Sequence, residues 1–214
     1  MNRYILFLLI PFFFSCAKQS FQVGDIFFQD LDCGPPCQAI EAVTSGYQGA
    51  QLSHCAIITS IGTSNHDTIL TEAIGETVTQ TTLHDFLNRS NKVFVGRLKN
   101  EYQYMIPDAI TYIQTDLNGK PYDYIFDITD DTYYCSEIIY EGLKKADNTQ
   151  ELFSLKPMTF NEPGTDMPFV HWVDYYEDLG HPIPEGELGL NPGGMSRSDA
   201  IEIVYFYEKP TGMY

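Results

Sequence analysis

The order of the secondary-structure patterns is the feature that most restricts what this chain can fold into. Short runs rich in β-branched residues come first and read as strands: residues 25–29, 55–61, 68–74, 77–82 and 92–98. Apolar residues at helical spacing follow at 104–117 and 135–146. Strands and helices are thus grouped rather than alternating, which predicts an α+β fold with a curled antiparallel sheet and packed helices.

The remaining segments carry weaker signals. Adjacent prolines favour a helix over residues 36–44, residues 122–128 read as extended, and residues 201–208 form a last strand. Residues 156–198 are rich in proline and glycine and show no clear period. We therefore expect an irregular arm that wraps over the domain.

Composition and charge exclude several classes of protein. The chain has 214 residues, which is the length of one domain, and its 43% of apolar residues is sufficient for a hydrophobic core. With 12 Lys+Arg against 29 Asp+Glu, the formal charge is -17. Nucleic acid is therefore not expected as a partner, because that affinity depends on cations that neutralise phosphates.

The N-terminus reads as an export signal. Residues 4–14 are apolar or aromatic apart from Pro11, and this run is too short for a membrane-spanning helix. Cys16 follows it closely, in a context similar to a bacterial lipobox. We expect residues 1–15 to be a signal peptide, Cys16 to carry lipid and residues 16–22 to form a tether. An ordinary secretory signal is the alternative.

This interpretation leaves residues 23–214 as a single domain. A lipid anchor would hold that domain at a membrane of the cell envelope, in the periplasm or at the outer membrane. Export also affects how the cysteines are interpreted. Cys33 and Cys37 could form a disulfide in an oxidising compartment or remain two buried thiols, and both interpretations stay open. Structural zinc would need recurrent short Cys or His pairs, so neither a metal nor another cofactor is expected.

Three residues could form a site with a cysteine nucleophile. Cys135 begins the second predicted helix, where unpaired backbone N–H groups and the positive helix end favour the thiolate. His54 lies at the start of an apolar strand, and such a strand would hold a base rigidly. Glu72 lies on the neighbouring predicted strand, within reach of the imidazole. An inert buried thiol, a core histidine and a solvent-facing glutamate are the alternatives.

Five ordered segments together resemble one family. They read GDIFFQD, then SHCAII followed by TEA, GKPYDYIF, YYCSEIIYEGL and HPIPEGELGLNPGGMSRS. The set is similar to the permuted papain-like cysteine hydrolases related to the NlpC family, in their YiiX-like branch, over residues 23–205. In ordinary NlpC-type enzymes the cysteine precedes the histidine. Here His54 precedes Cys135, an order that indicates circular permutation. The resemblance implies a permuted papain-like fold with the nucleophile at a helix N-terminus.

The resemblance also implies roles for single residues. Cys135 matches the nucleophile, His54 the general base and Glu72 the residue that orients the base. Tyr122 matches a tyrosine near the substrate carbonyl, which would help the backbone N–H of Cys135 to hold the oxyanion.

Residues beside the nucleophile complete the predicted site. Tyr134 and Ser136 flank Cys135 and are assigned to the substrate side of the site, although Tyr134 stands where many relatives have Asp. Cys55 is unusual next to the histidine. We interpret it as a core residue, because strand alternation would point its side chain away from the imidazole.

The resulting prediction is an exported cysteine hydrolase, an amidase or peptidase that cleaves an amide bond through an acyl-enzyme. A cell-wall peptide is the expected substrate, by analogy and by location. We expect a monomer whose partners are a small-molecule or peptide substrate and, through its lipid, the membrane.

Two alternatives stay open. Related permuted enzymes act on acyl chains, so this chain could be an acyltransferase or a lipid-ester hydrolase. Aromatic residues would then line an apolar groove, although they could equally be ordinary core residues: Phe126, Tyr133, Tyr134, Phe169, Trp172, Tyr175 and Tyr176. The other alternative is a non-catalytic lipoprotein that binds a peptide or an amino acid.

Overall fold

One antiparallel sheet organises the molecule. The computed structural model describes residues 20–214, so the predicted signal peptide and Cys16 lie outside the described residues. The strands are β1 Ile26–Gln29, β2 His54–Ser60, β3 Ile69–Ile74, β4 Thr77–Thr82, β5 Val93–Leu98, β6 Lys156–Pro157, β7 Leu188–Gly189 and β8 Ile201–Phe206. The helices are α1 Pro35–Val43, α2 Leu83–Arg89, α3 Ile106–Tyr112, α4 Cys135–Ala146, α5 Val170–Leu179 and α6 Pro192–Ser196.

Within residues 20–214, the main sheet contains six strands in the order β4-β3-β2-β1-β5-β8, and every neighbouring pair is antiparallel. The short strand β1 lies at the centre, where Phe28 pairs with Cys55 of β2 and with Phe94 of β5. The expected α+β class, with its antiparallel sheet and packed helices, is confirmed.

Both faces of the sheet are buried, because helices cover each side. On one face, Phe28, Cys55 and Ile57 pack with Ile138 and Leu143 of α4; we call this the α4 face. On the other, Phe27, Ala56 and Ile58 pack with Leu83 and Phe86 of α2; this is the α2 face. Successive residues of β1 and β2 thus point to opposite cores, as strand alternation requires.

The helix expected over residues 104–117 is divided into three pieces. A 3₁₀ segment, Asn100–Met105, leads into α3, which is followed by a wider π-type turn at Ile113–Leu117. Pro107 lies in the first turn of α3. Proline is tolerated there but not inside a helix, so the regular α-helix begins at that point.

The extended segment expected over residues 122–128 contains no strand. Asp123 Oδ1 accepts hydrogen bonds from the backbone N–H groups of Ile125 at 2.8 Å and Phe126 at 2.9 Å. These bonds fold the chain into a turn, and Phe126 adopts a φ of 59°. The aspartate side chain therefore overrides the β-branched and aromatic pattern.

The expectation that residues 156–198 form an irregular arm is partly wrong. It contains the β6–β7 pair, α5 and α6. Asn191 caps α6, since its Oδ1 accepts from Gly194 N at 2.8 Å, and Pro192 occupies the first turn. The apolar patterns also did not predict α2, which has only two buried residues, Leu83 and Phe86.

The question left open by the sequence for Cys33 and Cys37 is answered by a disulfide between them. It lies at the N-terminal end of α1 and joins the chain just before that helix to its first turn. Within residues 20–214, no helix is long and apolar enough to cross a membrane.

Candidate active site

Cys135 is the first residue of α4, and the sequence places it there by a capping arrangement. Tyr134 is the N-cap, and its backbone N–H donates to Glu137 Oε2 at 3.2 Å. A cysteine at this position faces backbone N–H groups that have no partner inside the helix. Cys135 is 8% exposed, so the thiol is buried but lines a cavity.

His54 and Glu72 meet on adjacent strands. His54 begins β2 and Glu72 lies in β3, and His54 Nε2 donates to Glu72 Oε2 at 2.6 Å. Glu72 is fully buried. With Nε2 committed to the carboxylate, Nδ1 is the ring nitrogen that remains for Cys135, and both side chains line the same cavity. The structure therefore brings together the three residues singled out in the sequence.

Arg89 is a fourth member that the sequence analysis missed. Its guanidinium donates to both carboxylate oxygens of Glu72, at 2.8 Å to Oε1 and 2.6 Å to Oε2. Arg89 is the last residue of α2 and also lies over the Phe86 ring, 5.2 Å from its centroid. The one available signal was Thr82, whose hydroxyl accepts from Asp85 N and so marks the helix that carries Arg89.

These contacts set the charges of the site. Burial opposes a charged imidazole, but hydrogen bonds to Cys135 and Glu72 outweigh burial and raise the pKa of His54 to about 9. Burial likewise opposes a charged Glu72, yet His54 and Arg89 lower the pKa of that carboxyl to about 2. The thiol of Cys55 and then His54 lower the pKa of Cys135 well below its ordinary value. The favoured state at neutral pH is a thiolate beside an imidazolium.

The flanking residues lie where they can shape a substrate site. Tyr122 and Ser136 line the same cavity as Cys135. Ser136 Oγ donates to Leu190 O at 3.1 Å, so its hydroxyl is engaged in holding the β7–α6 connection. Tyr134 lines the cavity as well, and its hydroxyl accepts from Leu190 N at 3.3 Å. Both side chains therefore fasten the arm to the start of α4.

The cavity in front of Cys135 measures about 730 Å³, a size typical of small-molecule sites. Of the aromatic residues considered for a groove, Phe126, Tyr134 and Trp172 line it, whereas Tyr176 is buried behind Trp172 in the same apolar cluster and does not line it. Four charged residues of the arm and of the chain on either side of it also line the cavity: Glu151, Lys156, Arg197 and Asp199. Within residues 20–214, no group of three or more His, Cys, Asp or Glu side chains is placed to hold a metal ion.

We expect Glu72→Gln to lower the pKa of His54 from about 9 by at least about one pH unit, because the neutral amide no longer stabilises the imidazolium. The imidazolium would then be lost at lower pH. An NMR titration of the ring carbons, with the His54 signal identified by its absence in His54→Ala, measures this directly. Glu76→Gln, at an exposed glutamate of the β3–β4 turn, is the matched control. A wild-type midpoint at the ordinary histidine value contradicts the expectation.

The fold and the chain length are similar to those of a solved structure. YiiX from Escherichia coli O157:H7, described as a metalloprotein, matches with a TM-score of 0.66 and 23% identity, covering 88% of this chain and 98% of that one. This likeness supports the fold. The metal description belongs to that protein. A search of curated proteins finds no match to this chain.

The family comparison covers nearly all of the described chain. Residues 20–205 match the family of permuted papain-like amidases that includes YaeF and YiiX, the C92 family. The match includes all the strands of the main sheet except the end of β8, as well as Cys135, His54 and Glu72. The chain therefore belongs to the permuted papain-like amidases of the C92 family.

Proposed function

We propose that this protein is a cysteine amidase that cleaves an amide bond through an acyl-enzyme on Cys135. The observation that carries the proposal is the buried His54–Glu72 pair, joined at 2.6 Å, whose imidazole lines the same cavity of about 730 Å³ as the Cys135 thiol. A nucleophile, a base and a residue that orients the base are the three parts that acyl transfer requires.

The first half of the reaction follows from the charges of the resting site. The Cys135 thiolate attacks the carbonyl carbon of the substrate, and the carbonyl oxygen becomes an oxyanion. The imidazolium of His54 then donates its proton to the amide nitrogen, the C–N bond breaks and the amine leaves. The products of this half are a thioester on Cys135 and a neutral imidazole.

The second half returns the enzyme to its starting state. Neutral His54 accepts a proton from water, and the resulting hydroxide attacks the thioester carbonyl. The C–S bond breaks, the carboxylic acid leaves, and the thiolate and imidazolium are restored. Glu72 remains ionised throughout and stabilises the imidazolium, since Arg89 and His54 both bind its carboxylate.

The backbone N–H of Cys135 is the proposed donor to the oxyanion, because the first N–H groups of a helix have no intrahelical partner. Tyr122 is the proposed second donor. Burial and then the nearby Cys135 charge raise the pKa of its phenol, which keeps the hydroxyl protonated and able to donate.

The lining of the cavity favours a substrate with an apolar group next to the scissile bond. Its apolar walls come from α1, α5 and the loops between them: Ile40, Val43, Phe126, Met158, Phe160 and Trp172. The same observation favours a second candidate, cleavage or transfer of an acyl ester. Two cationic groups that also line the cavity, Lys156 and Arg197, suit a peptide carboxylate. Cell-wall peptides are the proposed natural amide substrates.

The proposed location is the cell envelope. Residues 1–15 would direct export, and lipid on Cys16 would anchor the domain through the short tether that follows it. The disulfide between Cys33 and Cys37 supports this proposal, because disulfides persist in oxidising compartments and are rare in the cytosol.

The catalytic proposal is tested by turnover. The purified domain is mixed with a short cell-wall peptide, with an N-acyl amino-acid amide and with the matching ester, and products are measured. Cys135→Ala should lower kcat/KM for the preferred substrate by more than about 10³-fold, because it removes the nucleophile. His54→Ala should have a comparable effect, and His66→Ala, at an exposed histidine, is its matched control.

Intact mass spectrometry supplies the second readout. Wild-type protein quenched during turnover should gain the mass of the acyl group, and Cys135→Ala should not. Higher kcat/KM for the ester with transfer to an added acceptor would favour the second candidate. Absence of turnover and of any adduct with all three substrates would contradict both candidates and favour a binding protein.

The proposed anchor is tested in bacterial cells that express the full chain. Labelled fatty acid should be incorporated into the wild-type protein and should be absent from Cys16→Ser. Equal labelling of the two proteins, or labelling of neither, would contradict lipidation of Cys16.

A further inference from the structure

Gln29 is a buried polar residue to which the proposed mechanism gives no role. It ends β1, is fully buried and pairs with His54 of β2. Phe27, two residues before it, lies in the core of the α2 face, and strand alternation turns Gln29 to the same face. Residues directly opposite each other on antiparallel strands have Cβ atoms about 5 Å apart, so Gln29 is the neighbour of His54 across the strand pair.

The side chain of Gln29 binds the C-terminal end of α2. Its Nε2 donates to Phe86 O at 3.0 Å and to Ser90 O at 2.7 Å. Phe86 lies in the last turn of the helix, and Ser90 is its C-cap. The helix offers no N–H group to the carbonyl of its C-cap residue, so that carbonyl needs a partner from outside the helix. The two hydrogens of one amide group therefore fasten β1 to this end of α2.

The same end of α2 carries Arg89, which lies in the chain between the two residues whose carbonyls Gln29 binds. Arg89 Nη2 donates to both carboxylate oxygens of Glu72. The helix has seven residues, of which only Leu83 and Phe86 are buried. A helix this short is not stable by its own hydrogen bonds, so its last turn depends on contacts with the rest of the fold. Gln29 supplies two of these contacts from the central strand of the sheet.

The other atom of the Gln29 amide indicates that these two bonds are what the side chain contributes. Gln29 Oε1 is buried and has no hydrogen-bond partner within residues 20–214. A buried polar atom without a partner is destabilising, and an apolar side chain of similar size would avoid that cost. The orientation of the amide is fixed by chemistry, because an oxygen in place of Nε2 would face two carbonyl oxygens and could donate to neither. The contact with α2 therefore explains a glutamine at this position.

We propose that Gln29 is a positioning residue of the active site: it holds the end of α2 so that Arg89 stays paired with Glu72. The inference rests on the proposed function, since it gives Gln29 a part in maintaining the charges on which that mechanism depends. Gln29 is not among the residues that line the cavity, so it does not contact the substrate and acts only through Arg89.

The expected effect on the nucleophile follows from the four charges of the site. In the proposed resting state, Cys135 and Glu72 are anionic, whereas His54 and Arg89 are cationic. If Arg89 moves into solvent, the same state leaves two anions and one cation in a buried site, which is unfavourable. Loss of the Gln29 bonds should therefore raise the pKa of Cys135 and lower the fraction of thiolate at neutral pH.

The test compares Gln29→Met, which keeps the length of the side chain and removes both donors, with Thr59→Val. Thr59→Val is the matched control, because it also removes a buried hydrogen bond from the sheet, the 3.0 Å bond to Thr71, at the end of β2 far from His54. The rate of Cys135 alkylation by iodoacetamide is measured against pH, and the modified residue is identified by peptide mass spectrometry. We expect Gln29→Met to raise the alkylation midpoint by about half a pH unit or more, and Thr59→Val to leave it unchanged.

A double-mutant cycle tests the route through Arg89. Arg89→Met should raise the midpoint at least as far as Gln29→Met does, because it removes the cation itself. Adding Gln29→Met to Arg89→Met should produce no further increase, since Gln29 acts on Cys135 only through Arg89. An increase of equal size in both backgrounds would show that Gln29 acts by another route, and the inference would be wrong.

The outcomes also separate this inference from the function on which it rests. If Cys135 of the wild type is unreactive at neutral pH, the proposed function itself is contradicted. If wild-type Cys135 reacts with a low midpoint, and Gln29→Met shifts that midpoint no more than Thr59→Val does, Gln29 only stabilises the fold and the inference is wrong.

A measurement on the wild type does not depend on the folding of any variant. In NMR spectra, both Nε2 protons of Gln29 should exchange with solvent much more slowly than those of Gln38, an exposed glutamine. The same Gln29 group should show scalar couplings to the carbonyl carbons of Phe86 and Ser90, and the Nη2 protons of Arg89 should also be protected. Absence of these couplings, or fast exchange at either side chain, overturns the inference.

Discussion

The structure of the site depends on a carboxylate that is fully buried and still charged. Glu72 could not remain ionised in the sheet without partners, because an isolated buried charge is very costly. Arg89 binds both of its oxygens and His54 binds one, so the charge is compensated from two sides. The carboxylate in turn fixes the plane of the imidazole and, with Cys135, raises the pKa of His54 to about 9.

The fold brings these groups together from three separate stretches of chain. The β2–β3 pair holds His54 and Glu72, α2 carries Arg89 across the α2 face, and α4 presents Cys135 from the α4 face at the mouth of the cavity. In the proposed mechanism, the thiolate and imidazolium that result are the nucleophile and the acid for amide cleavage. The disulfide-linked α1 and the arm that carries α5 and α6 form much of the cavity wall, so they are the elements positioned to select the substrate.

Strong local patterns made much of the fold predictable. The predicted helix over residues 135–146 coincides with α4, and the strands of the sheet agree to within about two residues, because their apolar runs are bounded by turns. Arg89 could not be found in this way, since it acts across the sheet from a short helix with little apolar pattern. The sequence also could not place Cys55 and Cys135 in one buried cluster, because alternation predicts the direction of a strand side chain but not which helix covers it. Two expected segments differ for reasons that apolar periodicity does not reveal. Hydrogen bonds to Asp123 fold the segment that follows it into a turn, and the ring of Pro107 sets the start of α3.

In the proposed mechanism, Cys135 is a thiolate paired with the His54 imidazolium at neutral pH. The most direct measurement is the ultraviolet absorbance of the thiolate during a pH titration, taken as the difference between wild type and Cys135→Ala. We expect this absorbance to persist well below pH 7, and His54→Ala to move its appearance toward the ordinary thiol pKa of about 8.5. If the absorbance of the wild type appears only near that ordinary value, or is unchanged in His54→Ala, Cys135 and His54 do not form an ion pair.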